Sequence, residues 1–135
     1  MKLKIFCDGG ARGNPGLSAW AFLVFDEQDR ILAQKSEKMG VATNNVAEYT
    51  AVIKSLEWLK KNRRGKDLIT FYLDSELVVS QLNGLYKVKN SRLRELVFRI
   101  RQLESETGGN IFYQFIPREK NYRADYLVNQ SLDSA

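Results

Sequence analysis

The first third of the chain alternates between apolar and polar positions in the manner of β-strands. Residues 2–8 form one predicted strand, which Gly9-Gly10 closes, and residues 11–16 are a cluster of turn formers. Residues 17–26 are apolar on both faces, which is typical of a central strand, and a short polar connection leads to a third strand over residues 30–38. Three consecutive strands with short connections predict an antiparallel meander.

The hydrophobic period then changes from that of a strand to that of a helix. Apolar side chains recur at helical spacing from Asn45 onward, which predicts an amphipathic helix of about five turns with Thr43 or Asn44 as its cap. The remaining elements are a strand over 68–74, helices over 75–82 and 91–106, a strand over 111–116 and a helix over 122–132. The order β-β-β-α-β-α-α-β-α predicts an α/β fold. We expect a mixed five-stranded sheet, in which an antiparallel three-strand meander is joined to parallel strands, with helices packed on it.

Composition places the chain among ordinary globular proteins. It has 135 residues, 44% hydrophobic and 27% charged, so we expect residues 1–135 to form a single domain and exclude a disordered or fibrous protein. No apolar stretch is long enough to span a bilayer, and Asp8 arrives before a signal peptide can form. The single cysteine, Cys7, excludes an internal disulfide and suits a reducing compartment, so we expect a cytoplasmic protein. The side chain of Cys7 points away from Asp8 and is expected to be an inert buried thiol.

The charged residues and the absence of histidine limit the partners and the kinds of catalysis that are possible. Lysines and arginines number 21 against 16 acidic residues, and the net charge of +5 favours polyanions such as nucleic acid or an anionic membrane surface. The chain has no histidine, which excludes Ser-His-Asp triads, Cys-His dyads and His-ligated zinc. Any catalysis must therefore depend on carboxylates, lysines, hydroxyl groups or a bound metal.

Two aspartates stand at the last positions of predicted strands. Asp8 shares the more polar face of the first strand with Lys4, and Asp74 shares a face of the fourth strand with Tyr72. If these strands are parallel neighbours, both carboxylates meet at the carboxyl edge of the sheet, where ligand sites of open α/β sheets gather. Two further acids lie at the margins of apolar helix faces and can join them, namely Glu48 and Asp125.

Four converging carboxylates predict an oxygen-only site of the kind that Mg²⁺ or Mn²⁺ prefers. Two such ions about 4 Å apart can hold a phosphodiester, one activating water and the other stabilising the leaving oxygen. Each acid alone has a simpler interpretation: Asp8 as a turn former, Asp74 as a helix cap, and Glu48 and Asp125 as complements to helix N-termini. The combination of strand ends and helix margins favours the metal site.

Four segments, in order along the chain, resemble the motifs of type 1 ribonuclease H: residues 6–16 (FCDGGARGNPG), 43–49 (TNNVAEY), 72–75 (YLDS) and 121–125 (NYRAD). The resemblance covers essentially the whole chain. It implies a ribonuclease H-like fold and hydrolysis of the RNA strand of RNA–DNA hybrids, leaving a 5′-phosphate and a 3′-hydroxyl. The implied cofactor is two Mg²⁺ ions per site, with Mn²⁺ as an alternative. The family's metal-binding catalytic acids match Asp8, Glu48, Asp74 and Asp125.

The resemblance also implies contacts to the hybrid. The positions that match substrate-binding residues of the family are Gly9, Gly10, Asn14, Thr43, Asn44, Asn45 and Asn90. The first three asparagines lie near the RNA 2′-hydroxyl groups in this comparison, and amides suit that place because they both donate and accept hydrogen bonds. The glycines would let the backbone approach the strand closely, while Thr43 and Asn90 match positions that hold a DNA phosphate. Turn and cap roles are the alternative for Asn14, Asn44 and Thr43.

The chain departs from many members of the family in three places. Arg118 lies in the loop where many have a histidine for proton transfer or product release, which resembles a histidine-less branch. A guanidinium stays protonated and cannot be a general base, so Arg118 would contact phosphate, assist product departure, or lie on the surface without a role. Val41 stands where many members place an arginine in the DNA-phosphate pocket, so that pocket is weakened or built differently. Residues 83–90 lack the basic extension that some members use to grip the substrate.

Two other functions share these features. A nuclease of the same fold acting on double-stranded RNA or on DNA junctions would keep the four acids. A catalytically silent hybrid-binding module would be free to lose them, and all four are present, which favours the enzyme. We therefore expect an RNA–DNA hybrid as the partner, double-stranded RNA as an alternative substrate, no membrane and no obligate protein partner.

Overall fold

Five strands form a mixed sheet in the computed structural model, which describes residues 1–62 and 67–134. The strands are β1 (Lys2–Arg12), β2 (Gly16–Phe25), β3 (Ile31–Ala42), β4 (Leu68–Leu73) and β5 (Asn110–Phe115). Their order across the sheet is β3-β2-β1-β4-β5, with β1–β2 and β2–β3 antiparallel and β1–β4 and β4–β5 parallel. The predicted meander joined to parallel strands is confirmed.

The helices of the described residues follow the predicted order. They are α1 (Asn44–Asn62), α2 (Glu76–Leu82), α3 (Ser91–Thr107) and α4 (Tyr122–Asp133), and a 3₁₀ turn over Arg118–Asn121 precedes α4. The backbone N–H of Val46 donates to Thr43 Oγ1 at 3.2 Å, so Thr43 caps α1. Within this described part of the chain, every helix is too short or too polar to cross a membrane.

Two strands continue beyond the ends that the sequence pattern predicted. Gly9-Gly10 do not close β1, because the strand runs on to Arg12 opposite the first residues of β2. Likewise β3 does not end at Lys38 but continues to Ala42, opposite Gly16. Pairing with a long neighbouring strand outweighs the low intrinsic strand preference of glycine at these positions. Asp8 therefore lies inside β1 rather than at its end.

The helices pack on both faces of the sheet. The main core places α1 and α3 against one face, where Ile5, Phe22 and Leu56 are each at most 1% exposed. On the other face, α4 buries Ala124 and Val128 against the apolar side chains of β2. These two contacts hold the first turns of α1 and α4 at the same end of β1, which is where the acids lie.

Candidate active site

Three carboxylates from separate elements meet at one edge of the sheet. Asp8 comes two residues after Phe6, whose pairing with Tyr72 is the last between the parallel strands β1 and β4, and Asp74 directly follows β4. Glu48 comes from the early part of α1. One carboxylate oxygen from each of the three acids lies within 4.8 Å of the other two. The structure thus places three of the four predicted acids close enough to share a cation.

Gly9 allows α1 to lie this close to β1. A Cβ atom on Gly9 would lie 2.3 Å from the Ala47 carbonyl carbon and 2.5 Å from the Glu48 nitrogen, which are distances too short for any side chain. The helix backbone therefore touches the strand directly beside Asp8, and Glu48 reaches Asp8 as a result. The resemblance implies that Gly9 lets the backbone approach the substrate strand, and the structure gives this glycine a packing role as well.

The fourth acid, Asp125, lines the same cleft but is not part of the group within 4.8 Å. It lies in the first turn of α4, whose position on the sheet is fixed by Ala124 and Val128. The predicted substrate residues that line this cleft with the acids are Gly9, Gly10 and Asn44.

Burial and mutual repulsion change the protonation of the cluster. Asp8 and Glu48 are each only 7% exposed. Burial, followed by the charges of Asp74 and Asp125, raises the pKa of Asp8 to about 8. Burial, followed by the charges of Asp8 and Asp74, raises the pKa of Glu48 to about 9. Burial also raises the pKa of Asp74, although a hydrogen bond from Asn121 opposes the change. The neutral forms of Asp8 and Glu48 are thus favoured at pH 7 unless a cation is bound nearby.

The donor atoms of this cluster fit a hard divalent cation. Glu48 Oε2 is buried and has no hydrogen-bond partner among the described residues. Leaving a buried acceptor unsatisfied costs about 1–3 kcal/mol, and a cation would remove that cost while neutralising the neighbouring charges. The ligands are carboxylate oxygens, and the nearby thiol of Cys7 instead contacts the Ser55 hydroxyl at 3.2 Å. The cluster is therefore suited to divalent metal binding and not to a zinc–thiolate site.

Arg118 lies at the mouth of the cleft, on the 3₁₀ turn before α4. Its Nη2 atom is 3.5 Å from Asp125 Oδ1, and its side chain is 78% exposed. An ion pair this exposed contributes little to stability, so the guanidinium can turn toward an anion that enters the cleft.

Asn121 is a residue of this site to which the sequence analysis assigned no role. It is 1% exposed, and its Nδ2 atom donates to the Cys7 carbonyl at 2.8 Å and to Asp74 Oδ2 at 3.0 Å. The only available signal was its place at the start of the 121–125 motif. Its contacts depend on segments that are far apart in sequence, so the pattern alone could not reveal them.

A second pocket lies where the N-termini of α1 and α3 come together. It is lined by Asn14, Thr43, Asn45, Val46, Asn90, Arg92 and Leu93. Asn90 caps α3 by accepting a hydrogen bond from the Leu93 N–H at 3.1 Å, as Thr43 caps α1. Helix N-termini attract anions, and Arg92 adds a positive charge. Val41 is 72% exposed and does not line this pocket, whereas Arg92, at the start of α3, is the cation in its lining.

Two of the predicted asparagines join the acid cleft to this pocket. Asn44 accepts a hydrogen bond from the Ala11 N–H on Oδ1 at 2.8 Å, and its own N–H donates to Asn14 Oδ1 at 3.0 Å. The chain of contacts ties the β1–β2 turn to the start of α1. Asn14 thus binds the first N–H of α1 from the turn, whereas the side chain of Asn44 binds β1, so Thr43 and not Asn44 is the cap of α1.

Comparisons with known proteins agree with this arrangement. The family model described as reverse transcriptase-like matches residues 6–131. A bifunctional protein of Mycobacterium tuberculosis is 38% identical over 136 residues, which cover 100% of this chain and 36% of that protein. The chain therefore spans about a third of the length of this curated relative.

Two crystal structures match over nearly their entire lengths. The LC11 ribonuclease H1, solved in complex with an RNA/DNA hybrid, has a TM-score of 0.93 and 41% identity, covering 97% of this chain and 96% of that one. The ribonuclease H1 of Halobacterium salinarum has a TM-score of 0.92 and 36% identity, with 100% of both chains covered.

Proposed function

Because this chain belongs to the type 1 ribonuclease H family, we propose that it is a metal-dependent endoribonuclease that cuts the RNA strand of RNA–DNA hybrids. The observation that carries the proposal is the cluster of Asp8, Glu48 and Asp74, with oxygens within 4.8 Å of one another. The crystal structure of LC11 ribonuclease H1 with an RNA/DNA hybrid supports the substrate. Cleavage would leave a 5′-phosphate and a 3′-hydroxyl.

The residues that would hold the metal are Asp8, Glu48 and Asp74, and Asp125, which lines the same cleft, would join them. Mg²⁺ is the expected ion, with Mn²⁺ as a substitute and two ions per site. When bound, such ions supply Lewis-acid activation for phosphodiester hydrolysis, which a chain without histidine needs. The carboxyl groups of Asp8 and Glu48 would lose their protons when the cations bind, and Arg118 at the cleft mouth would hold a phosphate of the RNA or assist its departure.

The asparagines are proposed to read the RNA strand. The amide oxygens of Asn14 and Asn44 already accept backbone N–H groups, so their NH₂ groups are the atoms that we assign to the RNA. An NH₂ group donates to a 2′-hydroxyl oxygen, which DNA lacks. Asn45 would complete this contact beside the pocket.

The pocket between α1 and α3 is proposed to hold a phosphate of the DNA strand. Two helix N-termini and Arg92 supply its positive potential. The ion pair between Arg92 and Glu95 is long, at 3.5 Å, and both side chains are more than 60% exposed. Such a pair is weak, so Arg92 can leave Glu95 and bind a phosphate. The pocket would thus fix the register of the hybrid over the acids.

A reducing cytoplasm remains the expected location, since the chain's one thiol is free and buried.

The test uses a hybrid with a label on either strand, incubated with Mg²⁺ or with chelator. Single-stranded RNA, double-stranded RNA, DNA duplex and a DNA junction are assayed beside it. Metal-dependent cutting of the RNA strand of the hybrid alone is the expected result. Preferred cutting of double-stranded RNA or of the junction would reassign the substrate, and binding of the hybrid without cutting would indicate a silent module.

A further inference from the structure

Asn121 connects three of the four segments that carry the acids. Its side chain bridges the carbonyl of Cys7, which precedes Asp8, and the carboxylate of Asp74. Asn121 itself is the last residue of the 3₁₀ turn that leads into α4 and Asp125. Its neighbours in sequence are exposed, yet Asn121 is 1% exposed.

The bridge lies where the two parallel strands stop pairing. The β1–β4 ladder ends at the pair Phe6–Tyr72, and Asn121 binds the next carbonyl of β1. The same NH₂ group then holds the Asp74 carboxylate, which directly follows β4. The amide therefore bridges β1 and the residue that follows β4, one position beyond the last pair of the two strands.

The orientation of this amide is determined by its surroundings. Both Cys7 O and Asp74 Oδ2 are acceptors, so only the NH₂ side can face them. Asn121 Oδ1 is buried and has no hydrogen-bond partner among the described residues. A buried acceptor without a partner costs stability, so fold stability alone does not explain why a polar side chain occupies this place.

We infer that Asn121 is a positioning residue for the metal site: it holds Asp74 in the orientation that brings its oxygen within reach of Asp8 and Glu48. This inference deepens the proposed function and rests on it for the identity of the reaction. Outer residues that orient metal ligands typically change metal affinity by about 10- to 100-fold when they are lost. Asn121 would act in that way, without touching the metal or the substrate.

The test is the Asn121→Leu variant, which keeps the branched shape and removes the NH₂ group and the unsatisfied oxygen. Mn²⁺ binding is measured by calorimetry without nucleic acid, and the rise of the melting temperature on adding Mn²⁺ is measured in parallel. We expect Mn²⁺ to bind about 10- to 100-fold more weakly, with a smaller rise in melting temperature. Hybrid binding in chelator should stay within about twofold, since no proposed hybrid contact changes.

The matched control is Asn83→Leu, because Asn83 Nδ2 also donates to a backbone carbonyl, that of Tyr113 at 3.2 Å, outside the acid cleft. Its Mn²⁺ affinity should equal that of the wild type. If Asn121→Leu does not fold, Asn121→Ser gives the same measurement with a shorter side chain that cannot span both acceptors.

Equal Mn²⁺ affinity in the wild type and in the Asn121 variants overturns the inference, as does an equal loss in Asn83→Leu. Failure of both Asn121 variants to fold also overturns it, since the residue would then serve the fold alone. The proposed function fails separately, if the wild-type protein does not cut the hybrid although it binds Mn²⁺.

Discussion

The acid cleft and the pocket between α1 and α3 differ in what their polar groups already do within the protein. In the cleft, Glu48 Oε2 is buried without a partner among the described residues, and the pKa values of Asp8 and Glu48 are raised to about 8 and about 9. In the pocket, the oxygens of Thr43 and Asn90 are satisfied because each caps a helix. A cation would satisfy the unpartnered oxygen of the cleft, whereas these two oxygens of the pocket are satisfied without a ligand.

This difference predicts how the two regions respond to substitution. The buried acids of the cleft are expected to reduce the stability of the metal-free protein, so their replacement should separate activity from stability. Residues of the pocket stabilise helix ends, so their replacement should reduce stability and binding together. The five predictions below test this contrast, beginning with the largest effect.

Asp74→Asn should abolish turnover while leaving hybrid binding nearly unchanged, because it removes a charged ligand of the metal and no proposed contact to the hybrid. The loss should far exceed the roughly 100-fold that removal of an outer contact causes. Single-turnover cleavage and fluorescence anisotropy with the labelled hybrid measure the two quantities. Surviving turnover would show that Asp74 is not a ligand of the catalytic metal.

Gly9→Ala should reduce both turnover and stability, since its Cβ would lie 2.3 Å from the Ala47 backbone and push α1 and Glu48 away from Asp8. Overpacking of this kind costs about 1–3 kcal/mol, measured by urea unfolding. Gly10→Ala is the control, because its nearest contact would be Val128 Cγ1 at 3.7 Å, an ordinary distance. Similar losses of stability in the two variants would contradict the packing role of Gly9.

Without metal, the free energy of unfolding should fall as the pH rises through the cluster's titration. The pKa values of Asp8 and Glu48 are about 8 and about 9 in the folded protein, against values near 4 when unfolded, so the folded state binds more protons between these values. Stability from this source is present below pH 4 and is lost by about pH 9. Urea unfolding in chelator at several pH values measures the slope.

Glu48→Gln is the companion to this experiment, since an amide does not titrate. The variant should show a flatter pH profile and higher stability than the wild type at pH 8 in chelator. An unchanged slope would mean that the buried carboxyls do not govern the pH dependence.

Arg118→Ala should slow the reaction much less than Asp74→Asn does, by about tenfold, the effect of one hydrogen bond to a charged group. The exposed ion pair with Asp125 predicts no measurable change in stability. Steady-state and single-turnover rates together distinguish slower chemistry from slower product release. If both rates are unchanged, Arg118 is a surface residue with no role in the reaction.

Asn90→Ala should lower stability by about 1 kcal/mol and weaken hybrid binding only a few-fold, because one side chain serves both as the α3 cap and in the pocket. Asn90→Ser keeps an oxygen for the cap and loses the amide. The Asn90→Ser variant should therefore restore the melting temperature of the wild type without restoring its full affinity for the hybrid. Equal recovery of both properties would show that Asn90 acts only as a cap.

Local patterns were sufficient to predict the sheet and helices and the approach of Asp8 to Asp74, although Asp8 lies inside β1 and not at its end. Strand alternation and helical periodicity depend on neighbouring residues, and the parallel pairing of β1 with β4 then brings the two aspartates to one edge. The extension of β1 beyond Gly9 was not predictable, since it depends on the length of β2. The role of Asn121 likewise arises from contacts with distant segments, which sequence spacing does not encode.

The burial of Cys7 makes this chain convenient for attaching a single reporter. Its thiol is 0% exposed, and burial raises the pKa of the thiol to about 12, so a maleimide dye should leave it unmodified. A cysteine introduced in place of the exposed Phe98 on α3 would then be the one thiol of the chain that reacts with the dye. A fluorophore placed there would report on encounters with nucleic acid without any need to remove native cysteines.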